Sequence, residues 1–367
     1  MTIKQLFVIL IAVGAITSLF LIQKSWPSKS PNSEQPFGNC KLAKTDGFGF
    51  NPTHLNWEIA TSSAPWPARD SHALYIFDNK IWLLGGLDAT KSTRGKITNY
   101  KKANYYNDIW FSTNGIEWVR AKEHADFPPL RSVSVISFKG DLYMLGGWSP
   151  VVGYKNGIWK SVNGLDWVKI AESPPYGDRE GQKLVIFKDK LWLIGGVKYG
   201  ALFTRKTFND IWSSDDGVHW TLEASSTPWH PRWDHDAIVF KSGLWVIGGM
   251  NFGGKGYSDV WCSEDGKQWQ LVTNTAPFGK RQGHGAVVFK DLMWVVGGLN
   301  AATGEGVGDA WYTSNGYDWI KTERDGLWIG REDHGVIVFK DKIWIVGGMD
   351  TSFKWHNDVW YLTSNAL

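Results

Sequence analysis

Six arginines recur at matching places along this chain: Arg69, Arg131, Arg179, Arg232, Arg281 and Arg331. A guanidinium presents a planar fork of donors that fits a carboxylate or a phosphate. An aromatic stands three residues before most of them: Trp66, Tyr176, Trp229, Phe278 and Trp328. Before Arg131 the aromatic, Phe127, lies one place further back. Cations beside rings suit an acidic glycan or the acidic surface of a protein. The six arginines and five aromatics are therefore the candidate ligand contacts. A scaffold role competes with that reading. Asp108, Asp210, Asp259, Asp309 and Asp358 recur in step with five of the arginines and offer them carboxylate partners. Gly157 stands where the second copy should carry its aspartate. Arg131 is thus expected to lack a partner and to be free for a ligand carboxylate or phosphate.

The elements that must hold these residues repeat. An apolar run ends in Gly-Gly, a variable loop follows, then Asn-Asp-Ile-Trp or a variant, then Asn-Gly or Asp-Gly and another Trp. The pairs begin at Gly85, Gly146, Gly195, Gly248, Gly297 and Gly347, about 50 residues apart, a period that means a propeller or array. In the fourth copy Asp236–Phe240, Leu244–Ile247, Asp259–Ser263 and Gln268–Val272 read as strands, and Asp265-Gly266 is expected to form a type I′ turn. Four hairpin-linked strands make one twisted sheet, and packing such sheets radially buries both faces of each. Antiparallel geometry puts the arginines, the aromatics and the variable loops at one end. The longest loop, Leu87 to Asn107, and that of the third copy, Val197 to Asn209, mix basic and aromatic residues. A solvated, mobile loop is the plainer expectation for both.

These features resemble the kelch repeat in its bacterial form, where Trp follows Asn-Asp-Ile/Val and closes the Asp-Gly-x-x-Trp hairpin. The resemblance covers residues 55–367 and implies an all-β, six-bladed β-propeller. The sixth copy stops after Trp360 without its last strand, and Leu55-Asn56-Trp57-Glu58-Ile59 resembles the last strands of other copies. The N-terminal strand should therefore complete the last blade. His72, His235, His284 and His334 follow four of the arginines. On separate blades they are too far apart to share a metal ion, so interblade hydrogen bonding is expected and no metal. A non-enzymatic recognition module for a protein or glycan is the leading reading. The alternative is a sugar-modifying enzyme: some bacterial kelch propellers are similar to sialic-acid mutarotases, and Glu180 or Glu332 beside its arginine is the candidate acid–base group. Galactose-oxidase-like chemistry needs copper ligands and a Cys–Tyr crosslink that Cys262 does not match. No nucleophile elbow, zinc-protease helix or phosphate loop occurs, and no cofactor is expected.

A net charge of +3 with 20% charged residues is too balanced for a nucleic-acid partner. Residues 1–24 contain an uncharged run, Leu6 to Ile22, without a small-x-small cleavage site. This favours an uncleaved signal-anchor helix over a cleaved signal, with orientation left open by lysines on both sides. Either way the propeller is expected outside the cytoplasm: membrane-anchored in the first case, secreted or periplasmic in the second. Residues 25–54 read as a flexible linker, and a monomer is expected. The two cysteines, Cys40 in that linker and Cys262 in a strand, read as inert thiols, with a bridge between them as the alternative.

Overall fold

The computed structural model describes residues 40, 55–95, 97–154, 157–199, 205–323 and 328–364. The hydrophobic segment 1–24 and all of the linker but Cys40 lie outside the described residues, among which no helix is long and apolar enough to cross a membrane. The chain from Leu55 onward builds six four-stranded antiparallel sheets. Their innermost strands are Ala73–Phe77, Arg131–Phe138, Lys183–Phe187, Asp236–Phe240, Gly285–Phe289 and Gly335–Phe339. Each neighbours the next, and the sixth returns to the first. Blades 1 to 6 are numbered in that order.

The second strand of each blade is covered on both faces by its neighbours, which is why it reads as a continuous apolar run. Gly243–Ile247 of blade 4 is buried at every position. The type I′ turn falls at the first hairpin and not where the sequence suggested. Asp78-Asn79, Lys188-Asp189, Lys290-Asp291 and Lys340-Asp341 take positive φ at both central residues. Asp265-Gly266 belongs to a longer connection between Val260–Ser263 and Gln270–Thr273. The Asp265 carboxylate accepts the Lys267 and Gln268 N–H groups, both at 2.8 Å. That local side-chain bonding folds the turn, so only Gly266 needs positive φ. Gly266 has a packing reason too: a Cβ there would lie 2.4 Å from the Trp192 ring of blade 3. Trp344 sits likewise against Gly115, Tyr143 against Gly217 and Trp245 against Gly316, while Trp82 leaves room for ordinary contact, at 3.5 Å, with a Cβ at Gly164. The Asn-Gly or Asp-Gly of one blade is thus the seat for its neighbour's aromatic.

The ring closes as expected. Leu55–Thr61 pairs antiparallel with Val359–Ser364, placing Ile59 opposite Trp360. Trp57 is 4% exposed and meets Trp328 edge-on, with centroids 5.9 Å apart. Trp118 meets Trp66, Trp167 meets Phe127, Trp220 meets Tyr176, Trp269 meets Trp229 and Trp319 meets Phe278 in the same way.

The cysteines are not inert thiols. Cys40 is bridged to Cys262 in the third strand of blade 4. The partners are 222 residues apart in sequence, so no local spacing announces the pair.

Candidate binding site at the mouth of the ring

Five of the six arginines are built into the wall. Arg69, Arg179, Arg232, Arg281 and Arg331 are 0–2% exposed. Each forms a two-pronged pair with its own blade's aspartate, Asp108, Asp210, Asp259, Asp309 or Asp358, with the closer N–O distance between 2.5 and 2.7 Å. The same Nη1 donates to the carbonyl of the first glycine of the Gly-Gly pair, as Arg232 does to Gly248 at 2.7 Å. Tyr106, Phe208 and Tyr257 lie over the guanidinium planes of Arg69, Arg179 and Arg232. The aromatics Trp66, Tyr176, Trp229, Phe278 and Trp328 are at most 5% exposed and pack inside the blades. These ten side chains turn to the protein interior and away from solvent, which is what the carboxylate pairing anticipated.

Arg131 is different, and for a reason other than the expected one. Register settles its place. Arg131 pairs with Trp148, two residues after the start of its Gly-Gly pair. Asp70, Glu180, Trp233, Gln282 and Glu332 occupy that same register in the other blades, opposite Leu87, Val197, Met250, Leu299 and Met349. The true counterpart of the wall arginines is Leu130, fully buried, whose carbonyl accepts the Gly86 N–H as the Arg281 carbonyl accepts that of Gly249. Blade 2 has therefore lost both partners of the pair, with Leu130 for arginine and Gly157 for aspartate.

Nor is Arg131 unpaired. Its Nε and Nη2 donate to the two oxygens of Glu180 at 2.9 and 3.0 Å. Glu180 is 1% exposed and also accepts the Tyr154 hydroxyl at 3.3 Å. The guanidinium lies between the rings of Tyr100 and Trp148, at 5.0 and 5.1 Å. Burial opposes the charge, but the Glu180 carboxylate outweighs it and holds the Arg131 proton well above its ordinary range.

Arg131 and four of its register mates, Asp70, Trp233, Gln282 and Glu332, open onto a cavity of about 740 Å3 at the mouth of the ring. Its floor is a belt of backbone bonds about the axis: Ser132 N–H donates to Ser71, Ser71 to Asp333, Asp333 to Gly283 and Gly283 to Asp234, at 2.8–3.0 Å. Positive φ at each of these residues turns the chain inward. One wall is the long loop of blade 1, from Ile97 to Lys101. That loop is folded and not merely solvated: Leu87–Asp88 pairs with Asn104–Tyr105, Thr93–Arg94 with Ile97–Thr98, and Leu87 and Ala89 are fully buried. Val197–Tyr199 pairs with Arg205–Thr207 in blade 3, while residues 200–204 lie outside the described residues.

The lining is acidic, opposite in sign to what an acidic ligand would require. Asp70, Asp234, Glu332 and Asp333 line the cavity, against Arg131 and Lys101. Burial, then repulsion from Asp333, pushes the Glu332 carboxyl up to about 8, although Gln282 donates to it at 3.0 Å. Burial and the Asp333 charge likewise raise Asp70 and Asp234 well above the carboxylate range. Asp333 is raised by burial, with the Ser71 hydroxyl, Arg131 and Lys183 opposing. Asp70, Trp233, Asp234, Gln282 and Asp333 were missed in the sequence because the two positions after each wall arginine vary from blade to blade and carry no repeat signal.

The histidines lie between blades. A Cβ at Gly195, Gly248, Gly297 or Gly347 would come within 2.7–3.1 Å of the ring of His235, His284, His334 or His72 of the next blade. Gln182 takes that place in blade 3 and donates to the Leu145 carbonyl at 3.0 Å. Burial, then the neighbouring arginine, lowers His72 and His334 to about 3 and His235 and His284 well below their ordinary value, so all four are neutral. Among the described residues no group of three His, Cys, Asp or Glu is arranged to hold a metal.

A closed ring of six sheets with a walled mouth defines a β-propeller whose scaffold repeats and whose individuality lies in the loops and the register after each arginine. Residues 95–298 match the KLHDC2/KLHL20/DRC7 Kelch-repeats domain, and the chain belongs to this Kelch-repeat family. Kelch propellers are typically protein-binding modules. No curated protein matches the chain.

Proposed function

We propose that this Kelch propeller is a non-enzymatic recognition module that binds a protein through the mouth of its loop-bearing face. The observation that carries this reading is the cavity of about 740 Å3, walled by the ordered loop of blade 1 and lined by Arg131, which stands outside the five Arg–Asp pairs of the wall. A rigid floor and walls lower the ordering cost of binding. The Cys40–Cys262 bridge supports an oxidising compartment. The uncharged run Leu6 to Ile22 supports a membrane tether or an export signal. Protein, peptide and glycan arrays probed with the full chain in detergent test the reading. Selective peptide or protein binding, weakened at least tenfold by Trp233→Ala at the cavity wall, is expected. Glycan-only binding would replace the protein by a sugar, and no binding on any array would remove the module reading.

A second reading, a sialic-acid mutarotase-like sugar isomerase, is favoured by one observation. Glu332, raised to about 8 in the same cavity as Arg131, is suited to move a proton near neutral pH. Faster anomer exchange of free sugars by NMR, lost in Glu332→Gln, is its test; exchange at the uncatalysed rate removes it.

A further inference from the structure

We infer that the mouth cavity takes the positively charged side chain of a lysine or arginine presented by a partner protein. This rests on the recognition reading above and gives it a ligand chemistry.

Four carboxyl groups, Asp70, Asp234, Glu332 and Asp333, converge from blades 1, 4 and 6 on one cavity. Among the described residues the nearby cations offset them only in part: Arg131 is paired with Glu180, Lys183 opposes Asp234 and Asp333, and Lys101 stands on the loop wall. Crowded carboxylates in a buried place either hold protons, as the raised Asp70, Asp234 and Glu332 do, or give them up when a counter-charge arrives. Asp70 marks where it would sit. This residue is 4% exposed and lines the cavity, and its Oδ1 has no hydrogen-bond partner. A buried acceptor left open is unfavourable, and an N–H donor that reached it would relieve that cost. The walls fit a cation as well. Trp148, Tyr154 and Trp233 line the cavity, and aromatic faces attract ammonium and guanidinium groups once water is excluded. The Arg131 guanidinium between Tyr100 and Trp148 is an example of that arrangement within the same cavity. An acidic side chain would instead meet four carboxyl groups.

The test is calorimetric titration of the full chain in detergent with N-acetyl-arginine amide, N-acetyl-lysine amide, the uncharged isostere N-acetyl-citrulline amide, N-acetyl-glutamate amide and spermidine. The expected result is binding of the arginine or lysine compound at least tenfold tighter than citrulline, with no binding of glutamate. That preference should be lost in the double variant Asp70→Asn/Glu332→Gln. The variant should still fold with an undiminished thermal midpoint, because it removes buried repulsion. Equal binding of arginine and citrulline, or a preference that survives the double substitution, would overturn the inference. Spermidine binding tighter than either amino-acid amide would assign the cavity to a free amine and overturn the partner-protein source. An acidic or neutral array peptide that binds and is lost in Trp233→Ala would sink the cation while leaving recognition standing. No binding on any protein, peptide or glycan array would sink both.

Discussion

Replacing Arg232 by leucine tests whether the wall arginines belong to the frame. Arg232 is fully buried and donates to both oxygens of Asp259, at 2.7 and 2.8 Å, to the Gly248 carbonyl at 2.7 Å and to the His230 carbonyl at 3.2 Å. Leucine leaves Asp259 with the Trp261 indole, at 2.7 Å, and no opposite charge. Removing one partner of a buried pair costs about 3–5 kcal/mol. Blade 2 shows the remedy, since Leu130 there faces no aspartate. The double variant Arg232→Leu/Asp259→Ala should therefore recover about 2–3 kcal/mol of that loss, leaving the orphaned Gly248 carbonyl and the unpartnered Trp261 N–H as the remaining cost. Urea unfolding of the full chain, followed by tryptophan fluorescence, measures all three variants of the cycle. A single variant costing under about 1 kcal/mol would refute the frame assignment. So would a double variant as damaging as the two singles summed.

Three further outcomes are expected. Glu332→Gln should flatten the pH dependence of stability between pH 5 and 8. The folded Glu332 holds its proton to about 8, so its contribution is full below the unfolded carboxyl range and is lost as pH rises through 8; the difference should be on the order of 3 kcal/mol by urea melts at each pH. Trp57→Ala opens a hole against Trp328 in the closing strand and should cost about 3–5 kcal/mol, read as a lower unfolding midpoint. Cys262→Ala, which removes the bridge to Cys40, should cost about 2–5 kcal/mol, and dithiothreitol should lower the wild-type midpoint to match while leaving the variant unmoved.

The ring was legible because its signals repeat. Gly-Gly pairs, closing tryptophans and Arg–Asp pairs each recur, and Trp57 matches Trp118 and Trp167 in sequence alone. Blade 2 was misread because Arg131 was the nearest arginine to the expected place. Counting from the aromatics would have found Leu130: Phe127 precedes it by three residues and Phe138 follows it by eight, as Trp66 and Phe77 flank Arg69. The acidic mouth had no such rescue, because Asp70, Trp233, Gln282 and Glu332 share a register and not a residue type. The turn at Asp265 was misplaced because Asp-Gly serves both a two-residue hairpin and a longer turn held by its own carboxylate. The bridge from Cys40 depends on a meeting of segments that only the closed ring produces.

That bridge also decides how force would travel. The closing strand Leu55–Thr61 is held to blade 6 by hydrogen bonds, which can be unzipped one at a time from its free end. A pull on the chain upstream of Cys40 does not reach that end first. It enters blade 4 through a covalent bond at Cys262, in a strand flanked by partners on both sides. The oxidised ring should therefore bear such tension through blade 4, whereas reduction moves the load onto the seam and lets the ring peel open.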